Sequence, residues 1–269
     1  MKVKIIQLAG LLILSILISA CETTSKTGVR AIGAQGSTPT KSDFDRNKAA
    51  QTRLSAGLTY LRQGNLQFAK RHLDRALELG ADVGSVHFGL AYYFEQIKEF
   101  EKAEKSYKKA LKLEPKNPDF LNGYGSFLCN KKDYSAADKY FNRAIDNPIY
   151  ADVESAYVNA GVCARLAEQD SKAASYFRKA LNRNSKLPQA LIEMAEIEFD
   201  KNRYERAHRY IKRYEEISKT SSRSLWLALR VAHYLKDKNE LSSYALKLER
   251  MFPDSDETAE FLDNKDRWM

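Results

Sequence analysis

The chain has 269 residues, 43% of them hydrophobic and 29% charged, with only 12 Gly and 6 Pro. That apolar content excludes a disordered chain, and the scarcity of Gly and Pro excludes a collagen-like or turn-rich all-β protein. The formal charge of +9 comes from 44 basic and 35 acidic residues that are interspersed, so the surface is salt-laced with a basic excess and has no polybasic tail.

The first twenty residues read as an export signal. Lys2 and Lys4 precede an almost wholly apolar run from Ile5 to Ile18, which ends in the small residues Ser19 and Ala20. The run is short for a membrane span, which needs about 20 apolar residues. Leu17-Ile18-Ser19-Ala20-Cys21 resembles a bacterial lipobox. The resemblance implies cleavage before Cys21 and acylation of that residue; several acyl chains anchor stably where one is marginal. By the sorting rule of such signals, Glu22 directs the chain to the outer membrane. Removal of residues 1–20 takes away Lys2 and Lys4 and leaves 249 residues with a charge of +7. Residues 21–46 are expected to be a lipid-anchored tether. Its Thr, Ser, Gly and Gln lack apolar periodicity, and twenty such residues span about 25 Å as a flexible coil.

Residues 47–269 carry an internal repeat. Ala69, Ala103, Ala137, Ala173 and Ala207 are spaced by 34, 34, 36 and 34 residues. Four residues after each come Leu73, Tyr107, Phe141, Phe177 and Ile211; three further on come Ala76, Ala110, Ala144, Ala180 and Tyr214. Twelve residues before each Ala lies a small residue: Gly57, Ala91, Gly125, Gly161 or Ala195. This order of small, bulky and Ala positions resembles the tetratricopeptide repeat (TPR), in which each unit is a pair of antiparallel helices, A and B. Units are expected near 50–83, 84–117, 118–153, 154–187 and 188–221. A degraded sixth follows near 222–255, closed by Pro253, and Asp256 to Trp268 is expected to be a charged closing helix. The two extra residues of the 36-residue interval should lengthen the loop near Asn147–Asp152. The fold class expected is all-α, a TPR superhelix of about six repeats with a C-terminal capping helix, in which stacking buries what no unit buries alone.

No reaction chemistry is legible, so an enzyme is not expected. His72, His87, His208 and His233 fall in no metal-ligand spacing. Gly123-Tyr124-Gly125 lacks the third glycine of a phosphate loop, and nucleophile-elbow and Walker motifs are absent. No cofactor, metal or small-molecule substrate is expected. The basic stretch from Lys201 to Arg213 reads as a solvated helix face, with contact to anionic lipid headgroups as a lesser alternative, and no nucleic-acid partner is expected, because an exported chain meets little nucleic acid. Cys129 and Cys163 fall on the A helices of neighbouring units, two residues apart in repeat phase. That leaves two alternatives, a disulfide or two buried free thiols with side chains pointing apart.

Local strings narrow the resemblance. Leu121-Asn122-Gly123-Tyr124-Gly125-Ser126-Phe127-Leu128, Ala190-Leu191-Ile192-Glu193-Met194-Ala195 and Leu246 to Ser255 resemble type IV pilus biogenesis lipoproteins of the PilF/PilW (pilotin) family, as does the order of lipobox, tether and six repeats. The resemblance implies an outer-membrane lipoprotein, held on the periplasmic face by acyl chains on Cys21. It would bind secretin subunits and promote their outer-membrane localisation and multimerisation. The alternative of the same architecture is a TPR scaffold lipoprotein for β-barrel assembly or cell-wall enzymes. In such a stack helix A lines the concave side, and the repeat positions that face it are Leu54, Leu58 and Leu61 in the first unit and Phe88 and Tyr92 in the second. The third unit offers polar Asp119, Asn122, Ser126 and Asn130 beside Cys129. The apolar lining is therefore expected at the N-terminal end, as a groove for an amphipathic partner segment. The competing expectation is that residues before Ala50, Phe44 among them, fold back and cover it.

Overall fold

The computed structural model describes residues 41–268, and among them the fold is all-α. Twelve helices form six antiparallel pairs. The A helices are α1 (Lys41–Arg62), α3 (Gly84–Gln96), α5 (Pro118–Asn130), α7 (Val153–Leu166), α9 (Pro188–Asp200) and α11 (Ser222–Leu235). The B helices are α2 (Leu66–Leu79), α4 (Phe100–Leu113), α6 (Tyr134–Ile145), α8 (Asp170–Arg183), α10 (Tyr204–Glu215) and α12 (Lys238–Met251). Two short helices, α13 (Asp256–Asp263) and α14 (Lys265–Trp268), end the chain.

The small and bulky positions of the repeat meet inside each pair. A Cβ built on Gly57 would lie 2.8 Å from the Leu73 side chain, one on Gly125 would lie 2.8 Å from the Phe141 ring, and one on Gly161 would lie 2.6 Å from the Phe177 ring. The bulky residues are fully buried because the facing A helix gives them room. The sixth unit inverts the arrangement. By the same spacing its small position is Leu229 and its bulky position is Ala245, and both are buried. Exchanging large for small across one contact conserves volume, so the pair still packs although the repeat pattern fades there.

Every A–B turn places one residue in the left-handed region: Gly64, Lys98, Lys132, Glu168, Asn202 and Lys236, in step with the repeat through all six units. Only Gly64 and Asn202 are residues favoured in that conformation. The turn is held by the pairs around it, as its recurring backbone bonds show: Asp133 N to Leu128 O at 2.9 Å and Gln169 N to Ala164 O at 2.8 Å. Asn65, Asn117, Asp133, Ser221 and Asp237 cap the helices they precede with their side chains.

Successive A helices pack on one another at α1–α3, α5–α7, α7–α9 and α9–α11, and each B helix packs on the A helix that follows it. Among the described residues no B helix packs comparably on the next B helix, so the A helices take the inner side of the curve and the B helices the outer. The longer junction after α6 is pinned, with Asn147 Nδ2 donating to Lys116 O at 2.8 Å and Asn122 to the Tyr150 hydroxyl at 3.2 Å.

Three expectations change here. The first helix already begins at Lys41, inside the span read as tether, since Lys41–Ala50 continues α1 without a break. A stretch that extends α1 as helix cannot also turn back over its inner face, which removes the fold-back cover for these residues. The closing segment is two helices and not one, because the chain breaks at Asn264. It is also more than a solvated cap: Phe261 and Trp268 are buried, and the Trp268 ring meets Trp226 edge-on at 5.2 Å while its carbonyl hydrogen-bonds His233 Nδ1 at 2.9 Å.

Candidate functional site

At the first two units the inner face opens into a cleft of about 340 Å³ lined by Leu58, Leu61 and Arg62 of α1 and Phe88, Tyr92 and Gln96 of α3. Leu58, Leu61 and Phe88 are half-buried and Tyr92 is 38% exposed. The aromatic wall is fixed from behind. Phe88 stacks on Phe120 at 4.7 Å and meets Tyr92 edge-on at 4.8 Å and Tyr107 at 5.7 Å. Phe88 reaches this position because Gly123 has no side chain, and a Cβ there would lie 2.5 Å from its ring. Tyr107 donates to Glu95 Oε2 at 2.9 Å, and Asn130 donates to Glu95 Oε1 at 3.0 Å. Burial, reinforced by Glu95 and Asp119, holds the Tyr92 phenol above its ordinary range, so it stays neutral and a hydrogen-bond donor at physiological pH.

Leu54 is not part of this cleft. It is 6% exposed and lies against Gly89 of α3, in the core with Leu73 and Leu90. The repeat position is right, but the glycine opposite draws the side chain between the helices. The apolar lining also extends further than the N-terminal end. A second cleft of about 280 Å³ lies between α5, α7 and α9, where Val158, Val162 and Leu166 of α7 face Ser126, Cys129 and Asn130 of α5. Leu166 is 55% exposed. These three residues fall at the fifth, ninth and thirteenth positions of the fourth unit, so the rule that picks out Leu58 and Tyr92 also finds them when it is carried past the polar third unit.

Cys129 and Cys163 form a disulfide between α5 and α7, with their Cα atoms 5.8 Å apart. Free thiols pointing apart are thus corrected. Neighbouring A helices interdigitate, so residues that differ by two or three repeat positions can face each other across the contact, as Leu58 does Gly89 between α1 and α3. Cys21 lies outside the described residues.

Toward the C-terminal end the inner face becomes ionic. Arg165 of α7 reaches Asp170 at 2.6 Å and Asp200 at 3.2 Å, and Arg223 of α11 reaches Glu193 at 3.0 Å and Glu196 at 2.7 Å. Each histidine has a structural partner: His72 stacks on Tyr60, His87 bonds Ala81 O, His208 bonds Glu240 and His233 bonds Trp268 O. Among the described residues no group of three His, Cys, Asp or Glu is placed to hold a metal ion, and no helix is long and apolar enough to cross a membrane. A trough with apolar cups at one end and fixed charges at the other has the chemistry of a surface for a peptide segment.

The tetratricopeptide repeat family matches residues 54–118, and a second tetratricopeptide repeat profile matches residues 106–139. The chain is 32% identical to the type IV pilus assembly protein PilF of Pseudomonas aeruginosa over 235 residues, which cover 87% of this chain and 92% of that protein. The solved structure of Pseudomonas aeruginosa PilF superposes with a TM-score of 0.75 at 31% identity, over 82% of this chain and 99% of that one. The crystal structure of PilW, described as a widely conserved type IV pilus biogenesis factor, superposes with a TM-score of 0.72 at 24% identity, over 79% of this chain and 98% of that one, and supports the fold.

Proposed function

The chain belongs to the family of the type IV pilus assembly protein PilF, and on that premise we propose that it is a pilotin: an outer-membrane lipoprotein, acylated at Cys21, that binds secretin subunits and promotes their localisation and multimerisation. The observation that carries this reading is similarity along nearly the whole chain, beyond the shared repeat. The cleft of Leu58, Leu61, Phe88 and Tyr92 is the partner site in this reading, and it takes the apolar face of an amphipathic helix from the secretin. Burying one Leu is worth about 1.5–3 kcal/mol, so a charge at that point should weaken binding at least about tenfold.

The test has two arms. Leu58→Glu and Tyr92→Glu, checked by circular dichroism for intact helix content, are expected to lose secretin capture and to lower secretin multimers in cells. Normal capture and multimers in both variants would overturn the cleft assignment. Cys21→Ser is expected to release the protein from the outer-membrane fraction and to lower the same multimers. A deletion strain with normal secretin multimers, whose missing protein captures β-barrel assembly or cell-wall proteins instead, would overturn the pilotin reading itself.

A further inference from the structure

The outer surface carries a charge pattern that the cleft does not account for. The B helices together hold twenty-one Lys and Arg against ten acids, whereas the A helices from α3 to α11 hold three against seven. The excess is ordered. Arg75, Lys109, Arg143, Lys179, Arg213 and Lys247 occupy one repeat position in all six units, and Arg71, Lys105, Lys139 and Arg209 occupy the position one turn earlier in four of them. Residues i and i+4 share a helix face, so these ten side chains form a double row along the outside of the stack. All except Arg213 are exposed. Arg75 pairs with Glu78, and Arg143 and Arg213 donate to the carbonyls of Pro115 and Ser185 in the preceding junctions. The other seven make no ion pair among the described residues. In units three to six a tyrosine stands three residues before the complete row, with the basic group over its ring: Arg143 over Tyr140 at 5.2 Å, Lys179 over Tyr176 at 5.9 Å, Arg213 over Tyr210 at 5.6 Å and Lys247 over Tyr244 at 5.7 Å.

We propose that this outer ridge rests on the anionic headgroup surface of a phospholipid membrane. The charges are strung along the whole stack, which suits an extended anionic plane and not a single bound anion. Among the described residues successive B helices do not pack comparably on one another, so neighbouring rungs stand further apart than the roughly 8–10 Å of packed helices, about a Debye length or more at 0.1 M salt, and repel one another little while each attracts the surface beneath it. Tyr176 and Tyr244 are buried and serve only to seat the lysine above them, whereas Tyr140 and Tyr210 are half-buried beside their arginines; Tyr with Lys and Arg is a composition of membrane interfaces, where the cation reaches phosphate. If Cys21 carries the anchor, as proposed above, the composition of the residues between it and Lys41 leads one to expect a coil spanning about 25 Å, which would keep the ridge within reach of the membrane. Because the ridge and the cleft lie on opposite faces of the stack, docking turns the cleft toward the aqueous side, where a soluble partner arrives.

Residues 40–269 form one compact unit that contains the whole described core, so this unit is assayed without its anchor. Co-sedimentation is measured with vesicles of phosphatidylcholine alone and of phosphatidylcholine mixed with phosphatidylglycerol, at low and high salt. Binding to the anionic vesicles only, weakening as salt rises, is expected. Each basic group near such a surface contributes roughly fivefold, so Lys109→Gln, Lys179→Gln and Lys247→Gln together should weaken binding roughly a hundredfold. Lys98→Gln, Lys132→Gln and Lys236→Gln remove the same charge from the A–B turns and should change it only a few fold. Binding without preference for phosphatidylglycerol, equal loss in both triple variants, or tighter binding to a single-stranded oligonucleotide at the same salt would each overturn the proposal. No pilus protein enters the assay, so its failure leaves the cleft reading untouched.

Discussion

Breaking the Cys129–Cys163 bond should destabilise the middle of the stack by an amount that the geometry allows to be worked out. The bond closes a loop with a sequence separation of 34 residues. In the chain-entropy treatment such a loop removes about 13 cal/mol/K from the unfolded ensemble, or about 3.8 kcal/mol at 25 °C. The native side adds little penalty. Both residues are nearly buried among apolar neighbours, and reduced cysteines there behave as small hydrophobes. With a urea dependence of about 3 kcal/mol/M for a protein of this size, the midpoint should fall by about 1.3 M on reduction. The assay is urea unfolding followed by circular dichroism, with and without reductant, on the wild type and on Cys129→Ala with Cys163→Ala. The oxidised wild type should stand alone at the higher midpoint, and reductant should leave the double variant unchanged. Coincident midpoints for oxidised and reduced wild type, or labelling of both thiols in the unfolded, unreduced protein, would refute the reasoning.

Two further outcomes follow from the packing and the electrostatics. Gly125→Ala drives a methyl group to within 2.8 Å of the Phe141 ring and should cost about 1–3 kcal/mol. Adding Phe141→Leu should recover part of that loss, and a double-mutant cycle in urea that shows no coupling would disprove the contact. Glu104 is held below the usual carboxylate range by its hydrogen bonds from Lys108 and then Lys131, and Glu240 is held low because Lys212 and His208 outweigh its burial. A carboxylate with a lowered folded pKa contributes stability that is present above its unfolded value, about 4.3, and is lost as pH falls through the folded value. Glu104→Gln with Glu240→Gln should therefore flatten the acid limb of a thermal-melt series below about pH 4.3 and leave its neutral and alkaline shape unchanged.

The fold was legible because the repeat encodes packing directly. A small residue on helix A and a bulky one sixteen residues later on helix B are two halves of one contact, and five units state it the same way in sequence. The sixth does not, yet it folds in phase: Leu229 and Ala245 fill the same space from opposite sides, and Lys236 keeps the left-handed turn position. A reading by residue type sees decay there, because what is conserved between the units is a summed volume and a backbone conformation. The turns make a similar point. The segments around Lys98, Lys132 and Glu168 read as turns, but Lys and Glu do not favour a left-handed backbone, and the positive φ there and at Lys236 is imposed by the antiparallel pair on either side.

The site was less legible, for reasons that differ by residue. Repeat phase gives the direction in which a side chain leaves its helix, and it brought Leu58, Leu61, Phe88 and Tyr92 to one cleft. It does not give what stands opposite. Leu54 has the correct phase but faces Gly89, and the missing side chain there turns a groove position into a core position. Phe88 meets the corresponding glycine, Gly123, and is also drawn inward, yet its longer ring still leaves one edge in the cleft. The disulfide failed to follow from phase for a related reason. Phase compares positions along each helix, whereas packed helices interdigitate, so residues that differ by two positions can still face each other. Cys129 and Cys163 do so, with their Cα atoms 5.8 Å apart. The outer basic ridge needs no such correction, because it lies on the face that nothing opposes. For solvent-facing positions in a solenoid, phase alone fixes location, and a charge that recurs at one phase must form a line.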